Sequence, residues 1–461
     1  MFKNQSLVKF KSKFKVLALA LIMMVTLIPA SVNAEPVNEV RNLIEDHFLY
    51  KYDDSVLKTK NINEMVSNLN DIYSIYFTKE EYGRFLNMLN MKFYGLGVFL
   101  QDDNNEIKIS GIVRNSTVQK AGLKVGDVIV KINDNDLKQL KAQQAALYLN
   151  GKPGTNVELV VKRDNKILTF NVKREEVKLP TVMSTVLDKN IGYIRINTFG
   201  ENASEEFKKN LFALKDKVDY YVIDLINNPG GYINEAVDIA GYFIGEKPVV
   251  KVMNKKGESN IYKAPKKEYV IDKPVVFLVN KDTASASEIL SAAIKDNKKA
   301  TIIGQNTYGK GVAQNLFELS DGSVLKLTTQ KFVSPLGKEI NKIGVKPDIV
   351  CSDSALLDTA QSILTKPDFT LNVDEPKESF KVNFNLKINE KFIKNNVRLL
   401  DCSTGKYITV DTKLENEKRV VVTPKEKLKC GHNYYLVVDK GIVSKYGTKL
   451  KNKVMTRIRI K

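Results

Sequence analysis

Hydrophobic and polar residues follow a series of distinct patterns along this chain. After a lysine-rich start, one apolar run covers residues 16–28, and residues 37–92 then carry apolar positions at helical spacing. Residues 93–176 show short strand patterns around one helix, and residues 177–366 alternate buried strands with helices. Residues 380–461 return to short strands. These patterns predict a multidomain α+β protein.

The first 34 residues have the pattern of an export signal. Five lysines precede the apolar run, which at about 13 residues is short for a membrane-spanning helix. Val32 and Ala34 then supply the small residues that precede a signal-peptidase site. We predict cleavage after Ala34, with retention as an uncleaved anchor as the alternative. No later stretch is long and apolar enough to cross a bilayer, so the mature chain is expected outside the cytoplasm.

A segment of the 177–366 region presents a small hydroxyl residue at a helix N-terminus. The apolar run 275–279 predicts a buried strand, a polar turn follows it, and the residues after Ser285 are apolar at helical spacing. Free backbone N–H groups at such a terminus favour a developing negative charge. Glycines flank Lys310, which follows 25 residues later. Ser285 is therefore a candidate nucleophile, although a helix cap and a solvated loop lysine would give the same spacing.

The histidine content restricts the chemistry. The chain has two histidines, His47 and His432, near its opposite ends, and no His/Cys cluster has metal-ligand spacing. A Ser-His-Asp triad is therefore not expected, and the simplest base is a lysine made neutral by burial. An ordinary lysine pKa of about 10.4 would have to fall by roughly three units, which burial among apolar strands can supply.

Two motifs in this region resemble the carboxyl-terminal processing (tail-specific) protease family of serine peptidases. They are Thr-Ala-Ser-Ala-Ser-Glu at residues 283–288 and Thr-Tyr-Gly-Lys-Gly at residues 307–311, and Gln314 follows the second. The resemblance implies an α/β peptidase core with a Ser-Lys dyad of Ser285 and Lys310, supported by Gln314. It implies no cofactor, metal or nucleotide.

The same resemblance implies further site residues. Asp296 matches an acidic position that some members need. The Pro-Gly-Gly turn 229–231 follows a predicted strand, and in the family the amides of Gly230 and Ala286 would form the oxyanion hole. Ile226 departs from the usual Arg of the family's Asp-Leu-Arg-Asn-Asn-Pro-Gly-Gly motif, which puts the support of this loop in question.

Residues 93–176 resemble a PDZ domain over their full length. The consecutive N–H groups of Leu96, Gly97 and Val98 can hold a terminal carboxylate, and the bound peptide then adds a strand at the sheet edge. The resemblance implies protein or peptide substrates with free, apolar C-termini. Asn150 stands where relatives often carry Arg, which puts in question a polar link between the PDZ domain and the active site.

The C-terminal strands are similar to bacterial Ig-like surface domains. Cys402 and Cys430 lie within this region and could pair, but three cysteines in all do not form a disulfide framework. The predicted organisation is a signal peptide (1–34), an N-terminal helical segment (35–92), a PDZ domain (93–176), a catalytic domain (177–366), a linker (367–379) and an Ig-like β-sandwich (380–461).

The net charge is +19, and +14 without the five leader lysines. No nucleic-acid recognition motif accompanies this charge. Attraction to anionic cell-envelope polymers or lipid head groups and a generally lysine-rich composition both fit it, and homo-oligomer formation stays open. We predict a secreted serine endopeptidase that recognises substrate C-termini through its PDZ domain. The alternative is a surface peptide-binding protein, catalytically weak or inactive, that uses its PDZ and Ig-like modules.

Overall fold

The computed structural model describes residues 21–24, 36–103, 106–113, 115–137, 140–373 and 379–460. The chain divides into two compact units. Residues 80–181 form one unit, and in the other the segment that ends at Lys79 joins residues 182–461. Apart from residues 21–24, the predicted signal peptide and its cleavage site lie outside the described residues. Among the described residues, no helix is both long enough and apolar enough to cross a membrane.

The N-terminal segment is less helical than its sequence pattern predicts. Its elements up to Lys79 are β1 (Leu21–Met24), α1 (Pro36–His47), a 3-10 turn (Asp54–Lys58), α2 (Ile62–Ser67) and β2 (Ile75–Phe77). The helical prediction for residues 35–92 is wrong at β2, whose β-prone residues pair antiparallel with residues 324–326. Residues 80–92 of this segment belong to the other compact unit.

The unit of residues 80–181 has a twisted antiparallel sheet with one main helix. Its elements are α3 (Lys79–Leu89), β3 (Lys92–Gly95), β4 (Val98–Asp103), β5 (Glu106–Ile112), α4 (Thr117–Lys120), β6 (Val128–Ile132), β7 (Asn135–Asp136), α5 (Ala142–Leu149), β8 (Asn156–Arg163), β9 (Lys166–Lys173) and β10 (Glu175–Lys178). The sheet order is β4-β5-β6-β8-β9, so β4 is an edge strand. Helix α5 is the helix that the apolar pattern predicts among these strands.

The catalytic-domain region contains two sheets with helices between them. Its elements are β11 (Val182–Leu187), β12 (Ile191–Ile196), α6 (Ala203–Leu214), β13 (Tyr220–Asp224), β14 (Gly230–Tyr232), α7 (Ile233–Ile244), β15 (Pro248–Asn254), β16 (Ser259–Lys263), β17 (Val275–Val279), α8 (Ala286–Asp296), β18 (Thr301–Gly304), β19 (Val312–Glu318), β20 (Val324–Val333), β21 (Ile349–Val350) and α9 (Leu356–Leu364). One sheet has the order β11-β12-β13-β17-β18-β21, parallel from β12 onward, and the other has the order β14-β1-β19-β20-β15-β16, with β2 paired to β20. The largest apolar cluster joins α6, α7 and α8 to both sheets.

The C-terminal region is a sandwich of two sheets. Its strands are β22 (Phe369–Val373), β23 (Phe380–Asn383), β24 (Val397–Asp401), β25 (Lys406–Ile408), β26 (Val410–Asn416), β27 (Arg419–Pro424), β28 (Tyr434–Val438) and β29 (Val454–Ile460). The predicted linker 367–379 is wrong in its first half, because β22 pairs in parallel with β29. Cys402 faces Ser362 and Cys430 lies exposed, and both are free thiols, so no disulfide joins them.

The sandwich packs on the face of the six-stranded sheet that α6, α7 and α8 leave uncovered. One apolar cluster contains Leu278 of β17, Leu356 of α9, and Val437 and Met455 of the sandwich. Each of the four is at most 3 % exposed. The C-terminal sandwich therefore covers the second face of the six-stranded sheet.

Candidate active site

Ser285 occupies a strained turn between a buried strand and a buried helix. All five residues of β17 are buried, and α8 begins immediately after Ser285. Ser285 has φ +67° and ψ −120°, a left-handed conformation that costs an L-residue free energy and persists only where the surroundings enforce it. Its side chain is buried, and its Oγ makes no hydrogen bond to any described residue.

The turn before Ser285 is fixed to the turn that follows the neighbouring strand β13. Thr283 Oγ1 donates to Leu225 O at 2.8 Å, and Ala284 N donates to Asn228 O at 3.0 Å. Because β13 and β17 are adjacent and parallel, their carboxyl ends meet at one edge of the sheet, where α/β proteins commonly place their sites. The nucleophile candidate and the predicted oxyanion turn are therefore held together by direct hydrogen bonds.

Glu288 connects the Ser285 turn to the Lys310 loop. One carboxylate oxygen accepts from Ser285 N at 2.7 Å and from Lys310 N at 2.9 Å, and the other accepts from Gly309 N at 2.7 Å and from Thr307 Oγ1. Desolvation by burial raises the pKa of Glu288, while these hydrogen bonds oppose the rise. The sequence alone predicted no role for Glu288. Its position three residues after a serine that precedes a helix is the spacing of a capping carboxylate, and that signal could have identified it.

Lys310 is completely buried, and its ammonium nitrogen is held by neighbours. Nζ donates to Gln314 Oε1 at 2.7 Å, and Gln314 Nε2 donates in turn to Thr328 Oγ1 at 3.0 Å. Nζ also lies 4.6 Å from the ring centre of Tyr73, in the N-terminal segment. The structure thus brings Lys310 and Gln314 together as the sequence predicts. It adds Tyr73 and Thr328, which the sequence analysis did not single out.

The surroundings of Lys310 favour its neutral form. Desolvation by burial lowers its pKa most, the charge of Lys326 lowers it further, and Asp71 and Glu288 oppose the change, leaving the pKa well below the ordinary value. Lys326 is also buried, and desolvation lowers its pKa to about 8. A buried lysine with a depressed pKa is the form that general-base chemistry near neutral pH requires.

The two predicted oxyanion donors differ in their geometry. Ala286 is the first residue of α8, where a backbone amide has no acceptor within the helix. The amide of Gly230, in contrast, donates to Asn228 Oδ1 at 2.9 Å. Gly230 therefore lies beside the site as the sequence predicts, but in this conformation its N–H is directed at a side chain of its own turn.

Arg195 supports the loop in which Ile226 replaces the family's arginine. Its guanidinium donates to Asp224 Oδ2 at 2.9 Å, to Ile226 O at 3.1 Å and to Asn197 Oδ1 at 2.9 Å. Arg195 of β12 thus contacts the loop after β13 at the backbone of Ile226, the residue that differs from the family motif.

Asp296 does not join the catalytic candidates. It is the last residue of α8, at the opposite end of the helix from Ser285. Its carboxylate accepts from Ser334 Oγ at 2.5 Å, from Leu336 N at 3.0 Å and from Lys338 Nζ at 2.7 Å. Burial acts to raise its pKa, but these hydrogen bonds outweigh burial and leave the pKa lowered. Asp296 therefore anchors the loop after β20, and its predicted role in catalysis stays a prediction.

The two histidines lie away from this cluster. His47 stacks on Phe317 with ring centres 5.2 Å apart, and His432 Nδ1 lies 2.8 Å from Asp401 Oδ2 in the Ig-like domain.

The predicted peptide-binding loop lies at the start of edge strand β4. Leu96 is buried and Gly97 has φ +74°, where a Cβ would come within 2.9 Å of Ser116 Cβ, so glycine is required. Gly97 O accepts from Val113 N at 2.8 Å, which fixes the loop. Val98 then opens β4, whose outer edge pairs with no other strand in the described sheet order. An extended peptide can add to such an edge.

Asn150 ends helix α5 in the same unit. Arg174 caps this helix end, where its Nε donates to Leu149 O at 3.0 Å and its Nη2 donates to Tyr148 O at 2.8 Å. A guanidinium therefore does bind at the helix end where the family's arginine would stand, but it comes from the segment after β9 and serves the PDZ unit itself.

The class of protein is a serine peptidase, which agrees with the buried serine before a helix, the desolvated lysine held by a glutamine and the α/β core. Comparison with known proteins gives the family. Residues 190–351 match peptidase family S41, residues 95–173 match a PDZ domain and residues 363–457 match a bacterial Ig-like domain. The chain belongs to the carboxy-terminal processing protease family.

Several members of this family are similar over most of the chain. The carboxy-terminal processing protease CtpA of Bacillus subtilis is 32% identical over 78% of this chain and 76% of its own length. The "Probable CtpA-like serine protease" of Staphylococcus aureus is 34% identical over 84% of this chain and 76% of its own. Among solved structures, a photosystem II D1 C-terminal processing protease is 25% identical over 72% of this chain and 97% of its own, with a TM-score of 0.46.

Proposed function

We propose that this protein is an endopeptidase in which Ser285 is the nucleophile and Lys310 the general base, and that it processes or degrades extracytoplasmic proteins selected by their C-termini. The observation that carries the proposal is the fully buried Lys310, whose Nζ is fixed by Gln314 and whose pKa is lowered by burial. Only a neutral amine can take the serine proton, so a dry and positioned lysine is what a Ser-Lys peptidase requires.

The reaction follows from these positions. Neutral Lys310 takes the Oγ proton of Ser285 as Oγ attacks the scissile carbonyl carbon, giving a tetrahedral oxyanion. Lys310, now an ammonium, gives that proton to the leaving amine as the C–N bond breaks and the acyl-enzyme forms. Water then attacks the ester with Lys310 again acting as base, which releases the carboxylic acid and restores Ser285.

The oxyanion is stabilised by the amide of Ala286 at the start of α8. Removing one such donor from a serine protease costs about 3–4 kcal/mol of transition-state stabilisation. Gly230 joins Ala286 as the second donor when the Gly230 amide turns from Asn228 toward the substrate. The hydrogen bond from Gly230 N to Asn228 Oδ1 therefore has to open in the productive complex.

The substrate enters as an extended strand. Strand β1 supports this proposal, because Leu21–Met24 runs parallel between residues 230–232 and residues 314–315. An extended backbone therefore fits between the strand that carries Gly230 and the strand that carries Gln314. The PDZ loop formed by Leu96, Gly97 and Val98 holds the substrate's terminal carboxylate. The leader is cleaved after Ala34, and the positive net charge favours an anionic cell envelope.

The test uses residues 35–461 and an unstructured protein with an apolar C-terminus. Ser285→Ala, Lys310→Ala and Lys310→Arg should each abolish cleavage, because nucleophile and base act as one unit and a guanidinium stays protonated at any working pH. Lys331→Met, an exposed position on β20, is the control and should cleave normally. Normal turnover by any of the three site variants would remove the assignment.

A second candidate function is peptide binding with little or no catalysis. It is favoured by the engaged Gly230 amide and by the absence of a hydrogen bond from Ser285 Oγ to any described residue. A fluorophosphonate probe distinguishes the two. A peptidase is labelled at Ser285 and loses the label in Lys310→Ala, whereas a binder with an unactivated serine is not labelled at all.

A further inference from the structure

A second lysine is buried in the sheet that carries Gln314, the hydrogen-bond partner of the candidate base. Lys326 is the third residue of β20 and is only 1 % exposed. Lysine is almost never fully buried unless it has a partner or a function, because its charge is costly to desolvate. The residues before and after it, Leu325 and Leu327, point to the opposite face, where they pack with the N-terminal helices.

Strand register places Lys326 on the face of the sheet that holds Lys310. Thr328, two residues along β20, pairs with Gln314 of β19 and receives its hydrogen bond. Residues at i and i+2 of a strand share a face, so Lys326 and Thr328 project on the same side. Lys326 is therefore a neighbour of the Thr328–Gln314–Lys310 chain along that side.

The neighbouring strand β2 extends this face. Ile75 pairs with Lys326, and Phe77 lies two residues further on. The ring centre of Phe77 is 5.9 Å from the Lys326 ammonium, and the ring centre of Tyr73 is 4.6 Å from the Lys310 ammonium. One short segment of the chain thus covers both ammonium groups with aromatic rings and separates them from solvent.

The ionisable groups that act on this pair are few. Asp71 acts on both lysines, Glu288 of α8 acts on Lys310, and burial raises the pKa of the Tyr73 phenol. The Asp71 carboxylate also accepts a hydrogen bond from Ser74 at 2.6 Å. Two ammonium groups that share a dry site repel, so protonation of one disfavours protonation of the other.

We propose that Lys326 is a positioning residue of the reaction: its ammonium, lying beside Lys310, keeps Lys310 in the neutral form that accepts the Ser285 proton. This inference rests on the proposed function. A nearby cation is one of the known ways to make a lysine a better nucleophile or base. Near neutral pH Lys326 carries the proton of the pair and Lys310 is left free to act.

The direction of the expected pH shift follows from the charge of Lys310. Protonated Lys310 is inactive, so kcat/KM rises with pH through the pKa of Lys310. Removing the positive charge of Lys326 relieves the repulsion, raises the pKa of Lys310 and moves this rise to higher pH. Lys326→Met should move the midpoint up by about one pH unit, which lowers kcat/KM about tenfold on the acid side. The alkaline plateau should stay within about threefold of the wild type.

The experiment measures kcat/KM from pH 5.5 to 9.5 with residues 35–461 and a quenched fluorescent peptide without His, Cys or Lys. Lys326→Arg keeps a permanent positive charge and should keep the midpoint at or below the wild-type value. Lys331→Met removes an exposed lysine from the same strand and should leave the midpoint unchanged. Circular dichroism of each variant establishes that it is folded.

Three results would overturn the proposal. They are an unchanged midpoint in Lys326→Met, an equal upward shift in Lys326→Arg, and loss of folding in both variants, which would assign Lys326 to stability alone. If only Lys326→Met fails to fold, the direction in which Lys326→Arg moves the pH midpoint decides whether the proposal stands. Turnover by Ser285→Ala is a separate outcome, which would remove the proposed function itself.

Discussion

At the scale of single residues, the Glu288 carboxylate holds together the backbones of Ser285 and Lys310, the proposed nucleophile and base. It accepts hydrogen bonds from the backbone amides of Ser285, Gly309 and Lys310 and from the Thr307 hydroxyl, all within a buried site. A carboxylate has lone pairs for four donors, whereas an amide side chain offers one oxygen and two donors of its own. The position therefore requires an acid and not just a polar residue.

Glu288→Gln should destabilise the protein and impair catalysis together. The amide nitrogen of the new side chain cannot accept hydrogen bonds from the donors that face it. Each buried donor left unsatisfied costs about 1–3 kcal/mol. We expect a loss of about 2–4 kcal/mol in the free energy of unfolding by urea and at least a tenfold fall in kcat. The control is Glu318→Gln, an exposed carboxylate on β19. Wild-type stability and turnover in Glu288→Gln would contradict this role.

The sequence predicted the candidate site residues that belong to a local motif. Ser285, Lys310 and Gln314 are close in the chain, and the structure brings Lys310 and Gln314 into direct contact. Tyr73 could not be predicted in this way, because it reaches Lys310 through a strand pairing more than 200 positions away. The orientation of the Gly230 amide also has no sequence signal, since glycine permits either direction of the peptide.

At the scale of elements, helix α8 has different tasks at its two ends. Ser285 precedes its first turn, while Asp296 ends it and binds the loop of residues 334–338 through three hydrogen bonds. The helix dipole favours a developing anion at the first end only. Asp296 therefore contributes to the stability of this loop.

Asp296→Ala tests whether the two ends of helix α8 have separate roles. Its loss leaves the Ser334 hydroxyl and the Leu336 amide without their acceptor, which should cost about 1–3 kcal/mol in thermal or urea unfolding. Below the unfolding temperature, kcat should stay within about threefold of the wild type, because the dyad is not touched. Asp216→Ala, an exposed aspartate with an 82 % exposed side chain, is the control. A folded Asp296→Ala protein without activity would support the catalytic role.

The elements that the sequence predicted well are those with a strong local pattern. Strand β17 is apolar throughout and agrees with its predicted bounds of residues 275–279. Strand β22 was missed because its partner β29 lies some 90 residues away, and a lone edge strand is weakly marked. Its alternation of Phe369, Leu371 and Val373 was the available signal.

At the scale of the whole molecule, the proposed function makes the PDZ unit responsible for substrate choice. If Leu96, Gly97 and Val98 hold a chain end, a free carboxylate gains charge-assisted hydrogen bonds that an amide cannot make. Calorimetry of residues 80–181, which form a compact unit, should show amidated peptides binding about ten- to a hundredfold more weakly than free acids. A charged last side chain should also weaken binding, and equal affinity for both peptide forms would contradict carboxylate capture.

The Ig-like domain is part of the peptidase fold and not a separate module on a linker. Its residues share an apolar cluster with β17 and α9, and β22 begins three residues after the predicted end of the catalytic domain. Ionic contacts also join helix α9 to the Ig-like domain. Asp358 of α9 accepts from Arg398 at 3.1 Å, from Tyr407 at 2.5 Å and from Lys453.

Asp358→Ala tests whether the two domains unfold as one. Asp358 is 5 % exposed, and its removal leaves Lys453 buried without this carboxylate. Breaking a buried ion pair from one side costs about 3–5 kcal/mol. We expect the thermal midpoint to fall and peptidase activity to be lost in the same transition, because the sheet under the active site loses its cover. Asp411→Ala breaks an exposed ion pair with Lys425 in the same domain and should cost less than about 1 kcal/mol. If the Ig-like domain instead melts first and leaves an active peptidase, the two are independent and the shared core does not support the site.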